Sequence, residues 1–125
     1  PGVDIMVETK VEHLQIATDR ERLLQVLANL LNNAKKCTDS GKITISLNQY
    51  PEQRMIKISV SDTGCGIPVE KAEEVFERFK KLDAFRQGTG LGLAICKLIV
   101  EELGGKIWVD TDYTDGARFV FTHPM

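Results

Sequence analysis

The chain has 125 residues with 16 Lys and Arg against 18 Asp and Glu, and this net charge of −2 lacks the basic excess that argues for nucleic acid as a direct partner. Hydrophobic and charged contents of 42% and 27% are those of a soluble globular domain, and no apolar run approaches the length of a bilayer span. A chain of this size buries about two-thirds of its unfolded surface, so it needs neither disulfides nor a structural metal to fold.

Cys37, Cys65 and Cys96 are odd in number and lack zinc-ligand spacing, which reads as reduced thiols in a cytoplasmic protein. The sequence opens at Pro1-Gly2 without a starting Met or a signal-peptide pattern. It therefore reads as a single domain, residues 1–125, taken from a longer parent protein, with no internal repeat or linker.

Residues 3–10 and 12–17 form two short, moderately apolar segments with strand character, and Thr18-Asp19 follows as a helix N-cap. Over residues 20–38 the helical period places Leu23, Leu24, Val26, Leu27, Leu30, Leu31 and Ala34 on one arc. Arg22, Gln25, Asn29, Asn32, Asn33 and Lys36 lie on the opposite arc. Asp39-Ser40-Gly41 ends that helix. Residues 42–47 and 55–60 then alternate polar and apolar around a turn containing Pro51, which predicts an antiparallel hairpin with one apolar face.

Pro68 opens a short amphipathic helix to Phe79, and a charged stretch, 80–87, runs up to the next glycines. A further helix over 91–103 stops at Gly104-Gly105, and strands at 106–112 and 117–122 pair around Asp115-Gly116. The sum is a two-layer α/β sandwich, a mixed sheet of about five strands with three helices on one face.

Three stretches carry possible chemistry. Asp62-Thr63-Gly64 after an apolar strand matches the catalytic segment of an aspartic protease, but that chemistry needs two facing aspartates on an all-β scaffold, which these helices contradict. Two readings of Asp62 then stay open: a carboxylate that only folds an Asx-turn, or one that holds a ligand beside the glycine turn. Gly88-Thr89-Gly90-Leu91-Gly92 runs into a helix, whose N-terminal N–H groups and positive dipole end suit an anion. Its spacing is neither a dinucleotide fingerprint nor a Walker A loop. Asn29 and Asn33 stand one helical turn apart with Lys36 further on, although Asn is a mediocre helix former. Their ridge is either a solvated polar face or two amide oxygens for Mg²⁺, a hard ion, with an ammonium for phosphate.

Taken together and in order, these segments resemble the ATP-binding catalytic domain of two-component sensor histidine kinases, in the superfamily of gyrase, heat-shock chaperone and mismatch-repair ATPases. DRERLLQVLANLLNNAKKCT (19–38) is similar to the N box, DTGCGIP (62–68) to the G1 box, VFERFKKLD (75–83) to the F box and GTGLGLAICK (88–97) to the G2 box. The resemblance covers nearly the whole chain and implies a Bergerat fold binding ATP with Mg²⁺.

It also implies roles for residues. Asp62 accepts a hydrogen bond from the adenine amino group, with Gly64, Gly66 and Ile67 shaping the base pocket. Asn33 coordinates Mg²⁺, Asn29 lies near the same ion, and Lys36 near the phosphates. Phe76 and Phe79 anchor a lid over 80–87 that includes Arg86 and Gln87, while Gly88, Thr89, Gly90, Leu91 and Gly92 admit the triphosphate. In hydrolysing and serine-phosphorylating relatives a Glu stands at the place of Asn29 as general base. Asn cannot take that proton, and a neutral imidazole needs little such help, so the resemblance favours phosphoryl transfer to histidine, with Asn29 and Lys36 as the catalytic pair.

Departures from the pattern are Cys37 in place of an aromatic residue, Gln87 in place of a glycine, and Ala117-Arg118 in place of small hydroxyl residues. His13 and His123 lack the context of a phosphoacceptor, so the accepting histidine is expected on a helical dimerisation domain of the parent protein, with a response-regulator receiver domain downstream. The isolated domain is expected to be a cytoplasmic monomer without direct membrane contact, from a parent that is free to be membrane-anchored. The rival readings are a stand-alone ATPase or serine kinase of the same superfamily, and a nucleotide-binding regulatory domain that transfers no phosphate.

Overall fold

The computed structural model describes residues 3–9, 19–37, 41–64, 66–67, 69–72, 74–76 and 92–124. Five strands form one mixed sheet: β1 (Val3–Thr9), β2 (Gly41–Tyr50), β3 (Met55–Asp62), β4 (Ile107–Val109) and β5 (Arg118–Pro124), in the spatial order β1-β2-β3-β5-β4. β1 runs parallel to β2, and every other pairing is antiparallel. The expected hairpin is β2–β3, and the mixed five-stranded α/β architecture is as the sequence predicts. The second expected strand, 12–17, lies outside the described residues.

Register aligns the apolar positions. Ile45 faces Val60 and Leu47 faces Ile58 across β2–β3, while Ile58 faces Phe121 and Val60 faces Phe119 across β3–β5. Because side chains alternate along a strand, this puts Ile43, Ile56, Ile58, Val60, Phe119 and Phe121 on one buried face.

Helix α1 (Arg20–Cys37) and helix α2 (Gly92–Glu102) cover that face. Asp19 caps α1 as predicted, its carboxylate accepting from the Arg22 N–H at 3.2 Å. Val26, Leu30 and Ala34 are buried against the sheet, with Leu23, Leu27 and Leu31 packed at their flanks. Leu24, expected on the same arc, is instead 51% exposed. It lies at the outer margin of an apolar stripe wider than the contact surface, while the i, i+4 row Val26, Leu30, Ala34 takes the centre.

α2 is capped beyond Glu102 by Gly104, whose φ of +96° lets the Gly105 N–H reach back to the Val100 carbonyl and the Gly104 N–H to that of Glu101. These are the two bonds of a Schellman cap. Between the helices, the described part of the segment expected as a helix to Phe79 shows two 3-10 turns, Val69–Lys71 and Glu74–Phe76, while 68, 73 and 77–79 lie outside the described residues. The second turn buries the adjacent residues Val75 and Phe76 together, with the Phe76 ring edge-on to Phe119 at 6.0 Å. Two neighbours buried at once suit a local turn better than the i, i+3, i+4 rhythm of an amphipathic helix. The expected turn at Asp115-Gly116 is also wider: β4 stops at Val109 and β5 starts at Arg118, so residues 110–117 form the connection.

Among the described residues, no helix is long and apolar enough to cross a membrane. The contrast within α1 gives a stability test. Leu30→Ala is expected to cost about 2–5 kcal/mol in denaturant unfolding, whereas Leu24→Ala is expected to stay within about 0.5 kcal/mol of the parent chain.

Candidate functional site

Asp62 completes the row Ile56, Ile58, Val60 on the helix-facing side of β3 and is 2% exposed. A carboxylate there loses hydration, and this burial raises its pKa above the ordinary 3.8, with only partial relief from two backbone donors. Both donors serve one oxygen: Oδ1 accepts from the Gly64 N–H at 2.9 Å and from the Ala117 N–H at 3.2 Å. The Gly64 bond is the Asx-turn that the sequence allows. Among the described residues no donor reaches Oδ2, so the turn uses one oxygen and leaves the other available.

The surroundings of Asp62 come from distant parts of the chain. Its N–H donates to the Ala117 carbonyl at 2.8 Å, and Thr63 is latched to Lys42 by a backbone bond of 3.2 Å and a side-chain bond of 3.1 Å. Gly116 approaches so closely that a Cβ there would lie 2.1 Å from the Asp62 carbonyl oxygen. Gly66 turns the chain with φ of +74°, and Ile67 packs on the core beside it. Gly64 and Gly66 are half-buried.

α1 and α2 pack antiparallel. Arg22 near the start of α1 pairs with Glu102 at the end of α2 at 2.7 Å, and further along the Cys96 thiol donates to the Val26 carbonyl at 3.8 Å. The Arg22–Glu102 pair is about half exposed and contributes little energy, but it marks the register. The Asn29 side chain also hydrogen-bonds the Cys96 thiol, whose pKa burial nevertheless pushes up to about 11.

This register gathers several expected residues at one end of the sandwich. Asn33 follows Asn29 by one turn, Gly92 precedes Cys96 by one turn, and both steps lead in the same direction. α1 ends at Cys37 and β2 begins at Gly41, so the last turn of α1 is close to the start of β2, where Ile43 pairs with Asp62. Asn33 is half-buried, and Lys36 is exposed in that last turn. Gly92 is the first residue of α2, and among the described residues a Cβ built on it meets no atom within 4 Å.

Cys65, Phe79, Arg86, Gln87, Gly88, Thr89, Gly90 and Leu91 lie outside the described residues, as does the expected lid. Phe76, at its start, is fixed in the core. Sequence reasoning missed Tyr113, whose hydroxyl donates to the Asp62 carbonyl at 2.8 Å, and the close approach of Gly116. The glycine after Asp115 reads as a turn signal, and nothing local reveals that a strand some fifty residues earlier, at Asp62, lies against it.

Comparison with known proteins fits this arrangement. The family described as Histidine kinase-, DNA gyrase B-, and HSP90-like ATPase matches residues 18–125. The sensor histidine kinase WalK of Bacillus subtilis is 40% identical over 116 residues, which cover 89% of this chain but 19% of WalK. Full-length ShkA in complex with AMPPNP superposes with a TM-score of 0.88 at 32% identity, covering 98% of this chain and 26% of ShkA. The nucleotide-free catalytic domain of histidine kinase ThkA gives a TM-score of 0.84 at 39% identity, covering 98% and 80% of the two chains. ThkA has also been solved in complex with the response regulator protein TrrA; that ThkA chain gives a TM-score of 0.80 at 37% identity, with 98% and 34% covered. The chain belongs to the histidine kinase-, DNA gyrase B- and HSP90-like ATPase family, as a catalytic ATP-binding domain of the sensor histidine kinase type.

Proposed function

We propose that this domain binds Mg·ATP and presents the γ-phosphoryl group to a histidine on a separate helical domain of its parent protein, in a cytoplasmic two-component pathway. The carrying observation is the Asp62 carboxyl, buried where an aliphatic residue would pack better, with Oδ1 bonded to two backbone N–H groups and Oδ2 unengaged among the described residues. A buried acceptor left open is costly unless a ligand donor completes it. The exocyclic amino group of adenine is such a donor.

At the phosphate end, Asn33 and Asn29 offer neutral amide oxygens, the donor type a hard cation accepts. Magnesium, when bound there, spreads phosphate charge and orients the phosphate chain. Lys36 adds positive charge from the last turn of α1. Among the described residues nothing crowds Gly92 at the start of α2, which suits the approach of phosphate oxygens, and Gly88, Thr89, Gly90 and Leu91 precede it in the sequence.

In the transfer, a neutral imidazole nitrogen of the accepting histidine forms the new N–P bond. The bond from the γ-phosphorus to its bridging oxygen breaks, ADP leaves, and the imidazole proton passes to solvent. Asn29 takes no proton in this scheme, so the domain contributes positioning and charge neutralisation. Arg86 and Phe79 belong to the lid in this reading, and the AMPPNP-bound relative and the response-regulator complex of ThkA support the nucleotide and the downstream partner.

Three results are expected. In thermal denaturation, Mg·ADP at about 100 times its Kd adds about 2.7 kcal/mol of stability to the wild type. Asp62→Asn keeps an oxygen for the turn but turns an amide N–H₂ toward the adenine amino group, which should cost about 1–3 kcal/mol of binding; equal shifts for both proteins, or none for wild type, would defeat the reading.

The pH dependence follows from the raised pKa of Asp62. Its stabilising contribution is full below the unfolded carboxyl pKa and is lost as pH rises through the higher folded value. ADP affinity runs the opposite way, rising over that window as the acceptor ionises. Between acid and neutral pH, melting titrations should show the stability of wild type relative to Asp62→Asn falling as pH rises, and calorimetric titrations should show the rise in ADP affinity in wild type and not in Asp62→Asn. Asn33→Ala, finally, should bind ADP almost equally with magnesium and with EDTA, whereas wild type should bind about tenfold or more tightly with the metal, consistent with loss of one ligand.

A further inference from the structure

Three groups of Asp62 are held from the segment 110–118. Its N–H and its Oδ1 engage the backbone of Ala117, a service that any residue but proline at 117 can perform. The third bond, from the Tyr113 hydroxyl to the Asp62 carbonyl at 2.8 Å, depends on a particular side chain.

Tyr113 is itself held. The Arg118 guanidinium lies over its ring, with Cζ 4.2 Å from the centroid. Arg118 is in turn fixed by donating from Nε to Ser61 Oγ at 2.8 Å and by pairing with Asp110 at 3.5 Å. The Tyr113 N–H donates to the Asp110 carbonyl, closing the loop onto itself. A chain of contacts thus leaves β3 at Ser61, passes through Arg118 and Tyr113, and returns to β3 at Asp62. Burial and the nearby charge of Asp115 raise the Tyr113 pKa, so the phenol keeps the proton it donates.

We propose that Tyr113 and Arg118 are positioning residues for base recognition: they fix the main chain of Asp62 so that Oδ2 meets the amino group of adenine. This rests on the reading of Asp62 as the base-contacting carboxylate. Gly116 closes one side of the Asp62 carbonyl and the Tyr113 hydroxyl restrains it by a hydrogen bond. Loss of that bond releases the peptide between residues 62 and 63 and spoils the alignment of a carboxylate that is otherwise intact.

The test compares ADP with inosine diphosphate, which carries a carbonyl in place of the adenine amino group, by calorimetric titration of the 125-residue chain with magnesium present. Tyr113→Phe is expected to weaken ADP about 3- to 10-fold, the range of one neutral hydrogen bond, and to leave inosine diphosphate almost unchanged, so the selectivity ratio falls. Arg118→Lys keeps the charge but loses the planar stack and the Nε bond, and should lower the ratio in the same direction. The double variant should be no worse than Tyr113→Phe alone, because both residues act through one contact.

A purely structural role would lower the melting temperature and weaken both nucleotides alike, leaving the ratio at its wild-type value, and that outcome overturns the proposal. Should Tyr113→Phe fail to fold, the ratio in Arg118→Lys decides by the same criterion. Failure of the wild type to bind either nucleotide would instead bring down the nucleotide reading itself, and this proposal with it. Wild-type selectivity that Asp62→Asn abolishes and Tyr113→Phe leaves intact overturns the positioning role alone.

Discussion

The Asp62 carboxyl occupies a place in the row Ile56, Ile58, Val60 where packing alone would select another aliphatic side chain. Keeping a carboxyl there requires donors, and a strand interior has none to spare because its N–H groups already serve the ladder. The structure meets the need at the end of the strand. β3 stops, Gly64 folds back to offer its N–H, and β5 arrives with the N–H of Ala117. The bend at 62–64, the bare backbone at Gly116 and the wide connection 110–117 therefore serve one requirement: to hold one oxygen of a buried carboxyl while leaving the other unengaged among the described residues.

The helix layer solves a complementary problem. Antiparallel packing of α1 on α2 puts the apolar rows Val26, Leu30, Ala34 and Leu93, Cys96, Val100 over the sheet. The same rotation fixes where the polar residues between those rows must stand. Asn29 meets the Cys96 thiol, Asn33 is carried one turn toward the start of α2, and that start lies at the Asp62 end of the sheet. Core packing and the grouping of polar residues at one end thus follow from a single helix register, which is why so sparse a set of side chains can be gathered from four separate segments.

Much of this architecture is legible in the sequence because it depends on local periodicity. The period of two over 42–47 and 55–60 identifies β2, β3 and their shared face, and the period of 3.6 over 20–38 identifies α1 and its cap at Asp19. What is not legible depends on contacts between distant residues. Leu24 and Leu30 have the same side chain and lie on the same predicted arc, yet only the width of the sheet beneath them decides that one is buried and the other open. Tyr113 reads as an ordinary loop residue until β5 is paired with β3, when its hydroxyl arrives at Asp62. The two oxygens of Asp62 illustrate the same limit, because the sequence presents a turn and a ligand as alternatives whereas the structure gives the turn one oxygen.

The close approach at Gly116 also bears on how such a domain can change over generations. Any side chain there would collide with the main chain of Asp62, with a Cβ 2.1 Å from a carbonyl oxygen and 2.8 Å from Oδ1, so drift at that position is closed by sterics. Positions 113 and 118 carry no such restriction. Their side chains reach the strand from its flank, touching the carbonyl of Asp62 and the hydroxyl of Ser61, so exchange there is limited by the hydrogen bond each supplies and not by the space beside the carboxylate. The glycine and the flank therefore constrain inheritance in different ways around one residue: one position excludes every side chain by sterics, and the others select a side chain by the bond it makes.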